Sequence, residues 1–144
     1  LFRSQERIKK LTDHQQSVIE DLKNGMKNAE MQKKYNKKIV VEGRSMKSNI
    51  EIAKLAGLLK TKEEIFVNAQ DMENYPPDKI VILSTGAQGE EFAALMRIAT
   101  RQHKNITLTE RDTVVLSSSV IPGNEISVQR LKDNLFRNGV RDIL

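Results

Sequence analysis

Along residues 38–144, aliphatic residues gather into short unbroken runs, and between the runs they recur every three or four positions. The runs are "KIVVEG", "EIFVNA", "KIVILSTG" and "DTVVLSSS", with "VRDIL" opening a fifth. The periodic segments are "SMKSNIEIAKLAGLL", "GEEFAALMRIATRQH" and "NEISVQRLKDNLFRNG". An unbroken aliphatic run of four to six residues is the pattern of a strand covered on both faces, whereas the wider spacing is that of a helix with one apolar side. Their alternation predicts βαβ units and an α/β fold: three layers, α/β/α, around a mainly parallel, Rossmann-like twisted sheet.

Local punctuation refines this order. "TLTERDTVV" contains a turn at residues 110–112, so residues 106–108 are expected to form a small extra strand before the fourth run. "ENYPPDK" reads as a surface connection, because Pro76 and Pro77 neither continue a helix nor donate to a sheet. Ser45 is placed to cap the helix that follows it, while Gly57 and Gly139 suit left-handed positions at helix ends. Residues 1–31 read differently: Ile8, Leu11, Gln15, Val18, Ile19, Leu22 and Met26 share one face at helical spacing, giving one long helix or two. "KNGMKNAEMQKKYNKK" is rich in Lys and Asn and reads as a frayed helical connection or an exposed loop. The expected layout is one domain over 1–144, with an N-terminal helical segment at 1–37 and a βα core at 38–144.

Composition narrows the function classes. A chain of 144 residues has the length of one ordinary domain, and with no Trp and only 4% aromatic residues its core must be aliphatic. The absence of Cys removes disulfides, thiolate nucleophiles and cysteine zinc sites, and fits a cytoplasmic location. No apolar run reaches the roughly 18 residues of a membrane span, and "LFRSQERIKK" lacks the apolar stretch of a signal peptide. A net charge of +5 attracts a polyanion such as RNA without choosing one. Beginning at Leu1 and stopping within "GVRDIL", which has the pattern of a strand being entered, the chain is expected to be a piece of a longer protein.

Candidate chemistry concentrates in three loops. In an open parallel sheet, ligands bind beyond the carboxyl ends of the strands, and "EGRSMKSN", "STGAQGEE" and "SSSVIPGNE" are all expected on that edge. Each loop combines small residues with hydroxyls and leads to a helix N-terminus, a setting that favours anions. Arg44 adds a guanidinium suited to phosphate. Metal chemistry is not expected from this chain, because His14 and His103 belong to no ligand motif and read as surface histidines. Glu90 and Glu91 read as first-turn acids that answer the helix dipole, not as a catalytic pair.

Taken together, "GRSMKSNIEIAKLAGLL", "VILSTGAQGEEFAALMRIA" and "DTVVLSSSVIPGNEISVQRLKDNLFRNGV" resemble the β-CASP domain of bacterial ribonuclease J, and "LFRSQERI" is similar to the helix that opens that part of the family. The match runs in order along most of residues 43–140. It departs from the family phrases "TGSQGE" and "SSSPIPGNE" at Ala87 and Val120, and carries Glu91 where the family has Pro after the first phrase; position 87 is thereby left without a hydroxyl. The resemblance implies an RNA-binding, clamping part of a zinc-dependent ribonuclease, a 5′–3′ exonuclease and endonuclease of RNA processing and decay. Zinc and the "HxHxDH", "DSTN", "SGHA" and "HGE" motifs would lie in or near the metallo-β-lactamase domain of the same protein, outside this chain. The chain itself would hold no cofactor, no metal and no catalytic residue, and would be inactive alone. By the same resemblance, Arg44, Ser45, Ser84, Thr85, Gly86, Gln88, Gly89, Glu90, Ser117, Ser118, Ser119, Gly123 and Asn124 are the matched loop positions facing RNA or its phosphates. The implied partners are RNA, the metallo-β-lactamase domain and further copies of the parent as a homo-oligomer, with no membrane. A stand-alone nucleotide- or phosphate-binding module of doubly wound fold is the alternative, and a structural or oligomerising domain a third reading.

Overall fold

In a computed structural model, which describes residues 36–59, 63–140 and 142–143, the first aliphatic run becomes strand β1 (Lys38–Glu42). His14, the helical reading of residues 1–31 and nearly all of the Lys/Asn-rich stretch lie outside the described residues. β1 pairs in parallel with β2 (Phe66–Val67) on one side and β3 (Ile80–Ser84) on the other. Ile39 and Val40 are neighbours in a strand and so point to opposite faces, yet both are buried, at 2% and 0% exposed. The unbroken run thus belongs to a central strand covered on both sides, as parallel sheets require.

Helix α1 (Arg44–Leu55) follows β1, α2 (Ala94–Ala99) follows β3, and α3 (Glu125–Arg137) lies between β4 (Thr113–Val114) and β5 (Asp142–Ile143). β4 and β5 also pair in parallel, so "VRDIL" does enter a strand. Every ladder among the described residues is parallel, and the architecture is α/β.

The core explains how the two sheets are joined. Positions two apart on a helix face nearly opposite ways, and α2 uses this: Ile98 packs with Val40, Ala69 and Ile106 over the three-stranded sheet. Met96 and Ala99 pack instead with Leu131, Leu135 and Val140, against α3 and the β4–β5 pair. Leu108 borders both clusters. In α3 the buried side chains are Val128, Leu131 and Leu135, the apolar stripe that its sequence spacing predicts. Asn138 closes the arrangement by donating to the Ala99 carbonyl, which ties the end of α3 to the end of α2.

Several expectations are corrected. The fourth run shortens to Thr113–Val114 and pairs with β5, not with the three-stranded sheet. Residues 106–108 form no strand; the first of their N–H groups, that of Ile106, is given to His103 Nδ1 at 3.2 Å, as is that of Asn105 just before it at 3.3 Å. Ser45 does not cap α1; the helix begins two residues earlier than such a cap would set it, with Gly43 at the cap position and no side-chain cap bond. Helix α2 is shorter than its pattern. Residues 86–93 turn twice first, with Gly89 N–H bonded to the Gly86 carbonyl and Ala93 N–H to that of Glu90, so Glu90 and Glu91 are exposed ahead of the helix rather than in its first turn.

Other expectations hold. Gly57 and Gly139 occupy left-handed positions after α1 and α3. The turn at residues 110–112 is closed by Asp112, whose carboxylate accepts the Thr109 N–H at 2.7 Å. Pro76 and Pro77 are exposed in a connection made of short 3-10 turns. Among the described residues no helix is long and apolar enough to cross a membrane.

Candidate functional site

β1 and β3 are adjacent and parallel, so their carboxyl ends bring residues 43–44 and 85–86 to one edge. The Thr85 N–H donates to the Glu42 carbonyl at 3.1 Å, which carries the ladder one step beyond the strands. A side chain at Gly43, which has φ +114°, would force the Thr85 side chain to shift, since its Cβ would fall 2.4 Å from Thr85 Oγ1. Arg44, at the first position of α1, is therefore set beside Thr85. With Gly43, Phe92, Ala93, Ala94 and Arg97 they line a shallow pocket of about 290 Å³.

The pocket carries two exposed arginines, one hydroxyl, two alanines and an 88% exposed phenylalanine, and no acid lines it. Such a lining suits an anionic group attached to an apolar or aromatic body. Arg97 and Phe92 were not among the sequence candidates. The available clue was position: Arg97 is the only charged residue in "AALMRIA", and α2 buries the residues on both sides of it.

The second cluster is built by Gln88. Its Nε2 donates to Ser118 Oγ at 3.1 Å and to the Ser119 carbonyl at 2.9 Å. Its Oε1 accepts the Ile121 N–H at 2.9 Å and Asn124 Nδ2 at 3.4 Å. A backbone N–H can only donate and a carbonyl can only accept, so the two backbone partners fix which end of the amide is which. One side chain thereby joins the loop after β3 to the loop before α3. Gly89 brings the same loops together by having no side chain, its Cα lying against the backbone of Ser127 and Val128 in the first turn of α3.

The remaining candidates are scattered around these two clusters. Ser84, at the end of β3, donates to the Thr85 carbonyl at 3.1 Å. Gly86 and Gly89 are buried in the turn, while Ser45, Glu90, Ser117 and Gly123 are exposed. Gly123 N–H donates to Glu125 Oε2 at 2.9 Å, which shapes the entry to α3. The structure unites Arg44 with Thr85, and Gln88 with Ser118, Ser119 and Asn124; it brings Ser45 and Ser117 to neither group.

His103 is not a surface histidine. Its side chain is 8% exposed, and Nε2 lies 3.4 Å from Glu42 Oε2, whose own side chain is 9% exposed. Nδ1 accepts the two backbone N–H groups, which leaves Nε2 as the ring nitrogen that faces Glu42. Lys47 reaches the other oxygen of Glu42 at 3.2 Å. Both ring nitrogens of His103 are thus committed, and among the described residues no three His, Cys, Asp or Glu side chains come together as metal ligands. The donor set does not fit a zinc centre.

The family model described as Ribonuclease J, beta-CASP domain, matches residues 8–135. A curated Ribonuclease J from Helicobacter pylori is 41% identical over 104 residues, covering 72% of this chain and 15% of that protein. Ribonuclease J2 from Bacillus subtilis is 37% identical over 107 residues, covering 74% of the chain and 19% of the relative. A Ribonuclease J from Mycolicibacterium smegmatis is 44% identical over 99 residues, 69% of the chain and 18% of the relative. The chain spans less than a fifth of the length of each of these relatives.

Proposed function

The chain belongs to the family of ribonuclease J β-CASP domains, and from that premise we propose that it is the RNA-clamping part of a ribonuclease. The observation that carries this reading is the strand-end edge itself, where Arg44 and Arg97 share one pocket and an adjacent loop presents Ser117, Ser118 and Ser119 to solvent. Guanidinium groups and hydroxyls bind phosphate oxygens of any sequence, and the arginine side chains are already at the surface where a strand would pass. Hydrolysis of the phosphodiester belongs, in this proposal, to zinc held by a metallo-β-lactamase domain of the same protein. The parent acts in the cytoplasm as a homo-oligomer, in 5′–3′ exonucleolytic and endonucleolytic RNA processing and decay.

What these residues contribute is binding and orientation. Arg44 and Arg97 hold phosphates by charge, and the exposed ring of Phe92 offers an apolar surface beside them. No proton transfer is assigned to the chain.

The test is binding of a single-stranded RNA oligonucleotide across a range of salt. Affinity is expected to fall linearly with salt on logarithmic axes, and Arg44→Ala and Arg97→Ala are each expected to weaken it several-fold and to reduce the slope by about 0.7. A salt-independent affinity, or slopes untouched by both changes, rejects the clamp. With zinc or manganese the chain is expected to leave the RNA uncut, and chelator-sensitive cleavage would contradict the division of labour. Tight binding of a mononucleotide that excludes RNA would favour the stand-alone phosphate module.

A further inference from the structure

Gln88 lies in the loop matched to RNA-facing positions, yet its amide has nothing left to offer a ligand. Both N–H groups and both lone pairs are used, on Ser118 Oγ, the Ser119 carbonyl, the Ile121 N–H and Asn124 Nδ2. The consequence falls on Ser118. Its oxygen accepts a hydrogen bond from Gln88, while its own proton has no acceptor among the described residues. An exposed hydroxyl held in this way offers a donor to solvent, and the acceptor chemistry that it suits is an anionic oxygen such as that of a phosphate.

We propose that Gln88 is a positioning residue for RNA: it holds residues 118–124 in place and presents the Ser118 hydroxyl as a donor to a phosphate oxygen of the bound strand. This rests on the RNA-clamping reading. Gln88 acts through Ser118 and does not itself touch RNA. Four anchor points on one amide make the side chain length decisive. Asn, one methylene shorter, cannot reach both sides of the loop; Glu keeps the bond to the Ile121 N–H but sets an oxygen against the Ser119 carbonyl.

A double-mutant cycle in the full chain tests this, read by binding of a fluorescent single-stranded RNA and by amide hydrogen exchange at Ile121. Gln88→Ala and Ser118→Ala are each expected to weaken RNA binding about 5-fold, and the double variant also about 5-fold, because the second change removes a contact already lost. Gln88→Asn and Gln88→Glu are expected to fail as Gln88→Ala does. In Gln88→Ala the Ile121 amide, its acceptor gone, is expected to exchange at least about 10-fold faster. Losses that multiply in the double variant overturn the proposal by showing two independent RNA contacts. So does weakened binding with Ile121 exchange unchanged, which makes Gln88 a direct contact, or faster exchange with RNA binding intact, which makes the bonds purely architectural. Ser118 is exposed, so Ser118→Ala folds and the test survives even if Gln88→Ala does not. An unaltered chain that binds no RNA rejects the clamp and this role of Gln88 together, whereas Ile121 exchange reports on the loop whether or not RNA binds.

Discussion

Gly89→Ala is expected to destabilise the fold by about 3 kcal/mol or more, the largest effect of any single methyl group on this edge. Gly89 has φ +76°, and an added Cβ would lie 2.2 Å from the Ser127 carbonyl oxygen, 2.4 Å from its carbon and 2.8 Å from the Val128 nitrogen. These are backbone atoms in the first turn of α3. No rotamer change moves them aside, so either the loop or the helix must shift. Gly57→Ala supplies the control, since Gly57 has φ +68° and nothing within 4 Å of an added Cβ. Its cost is that of backbone strain alone, about 1 kcal/mol. Thermal unfolding of both variants decides the matter, and equal melting temperatures would show that the loop does not rest on α3. RNA affinity is expected to fall with Gly89→Ala as well, because the displaced loop carries Gln88.

His103→Leu is expected to cost about 2–4 kcal/mol, read from urea unfolding. Three groups lose their partner at once: Glu42 Oε2 and the N–H groups of Asn105 and Ile106. Leucine restores neither the contact with Glu42 nor the two hydrogen bonds, although it fills similar space. Lys47 remains on the other carboxylate oxygen, but its side chain is 52% exposed and its ammonium does not replace a buried donor. The double variant Glu42→Leu, His103→Leu should recover part of the loss, since no buried carboxylate oxygen is then left facing an apolar side chain. A His103→Leu protein within about 0.5 kcal/mol of the parent would falsify a structural role for the pair.

The identity of the edge was largely legible before the structure, and the roles of its residues were not. Arg44 and Thr85 stand where alternating runs and turns imply, at the carboxyl ends of neighbouring parallel strands. Gln88 carried no comparable signal, because its four partners lie 30 to 36 residues away along the chain. His103, with polar neighbours on either side, looked like a surface residue for the same reason: the carboxylate it faces is that of Glu42, from a strand distant in sequence. Arg97 was hidden inside a helical pattern whose apolar spacing describes the core, not the pocket.

Local periodicity determined the strand runs, the helical segments, the glycine helix ends and the parallel α/β class. The glycine ends follow from the one residue type that takes a left-handed φ freely, and the rest is written in unbroken aliphatic runs or in a spacing of three to four. Tertiary structure alone decided the rest. It set the length of α2, which waits for two turns over residues 86–93, and in place of the strand expected at residues 106–108 it gave the Ile106 N–H to a histidine. It also chose which polar side chains of the three loops are spent on each other and which remain for a ligand, because a hydrogen bond is allotted by distance in space and the sequence records only distance along the chain.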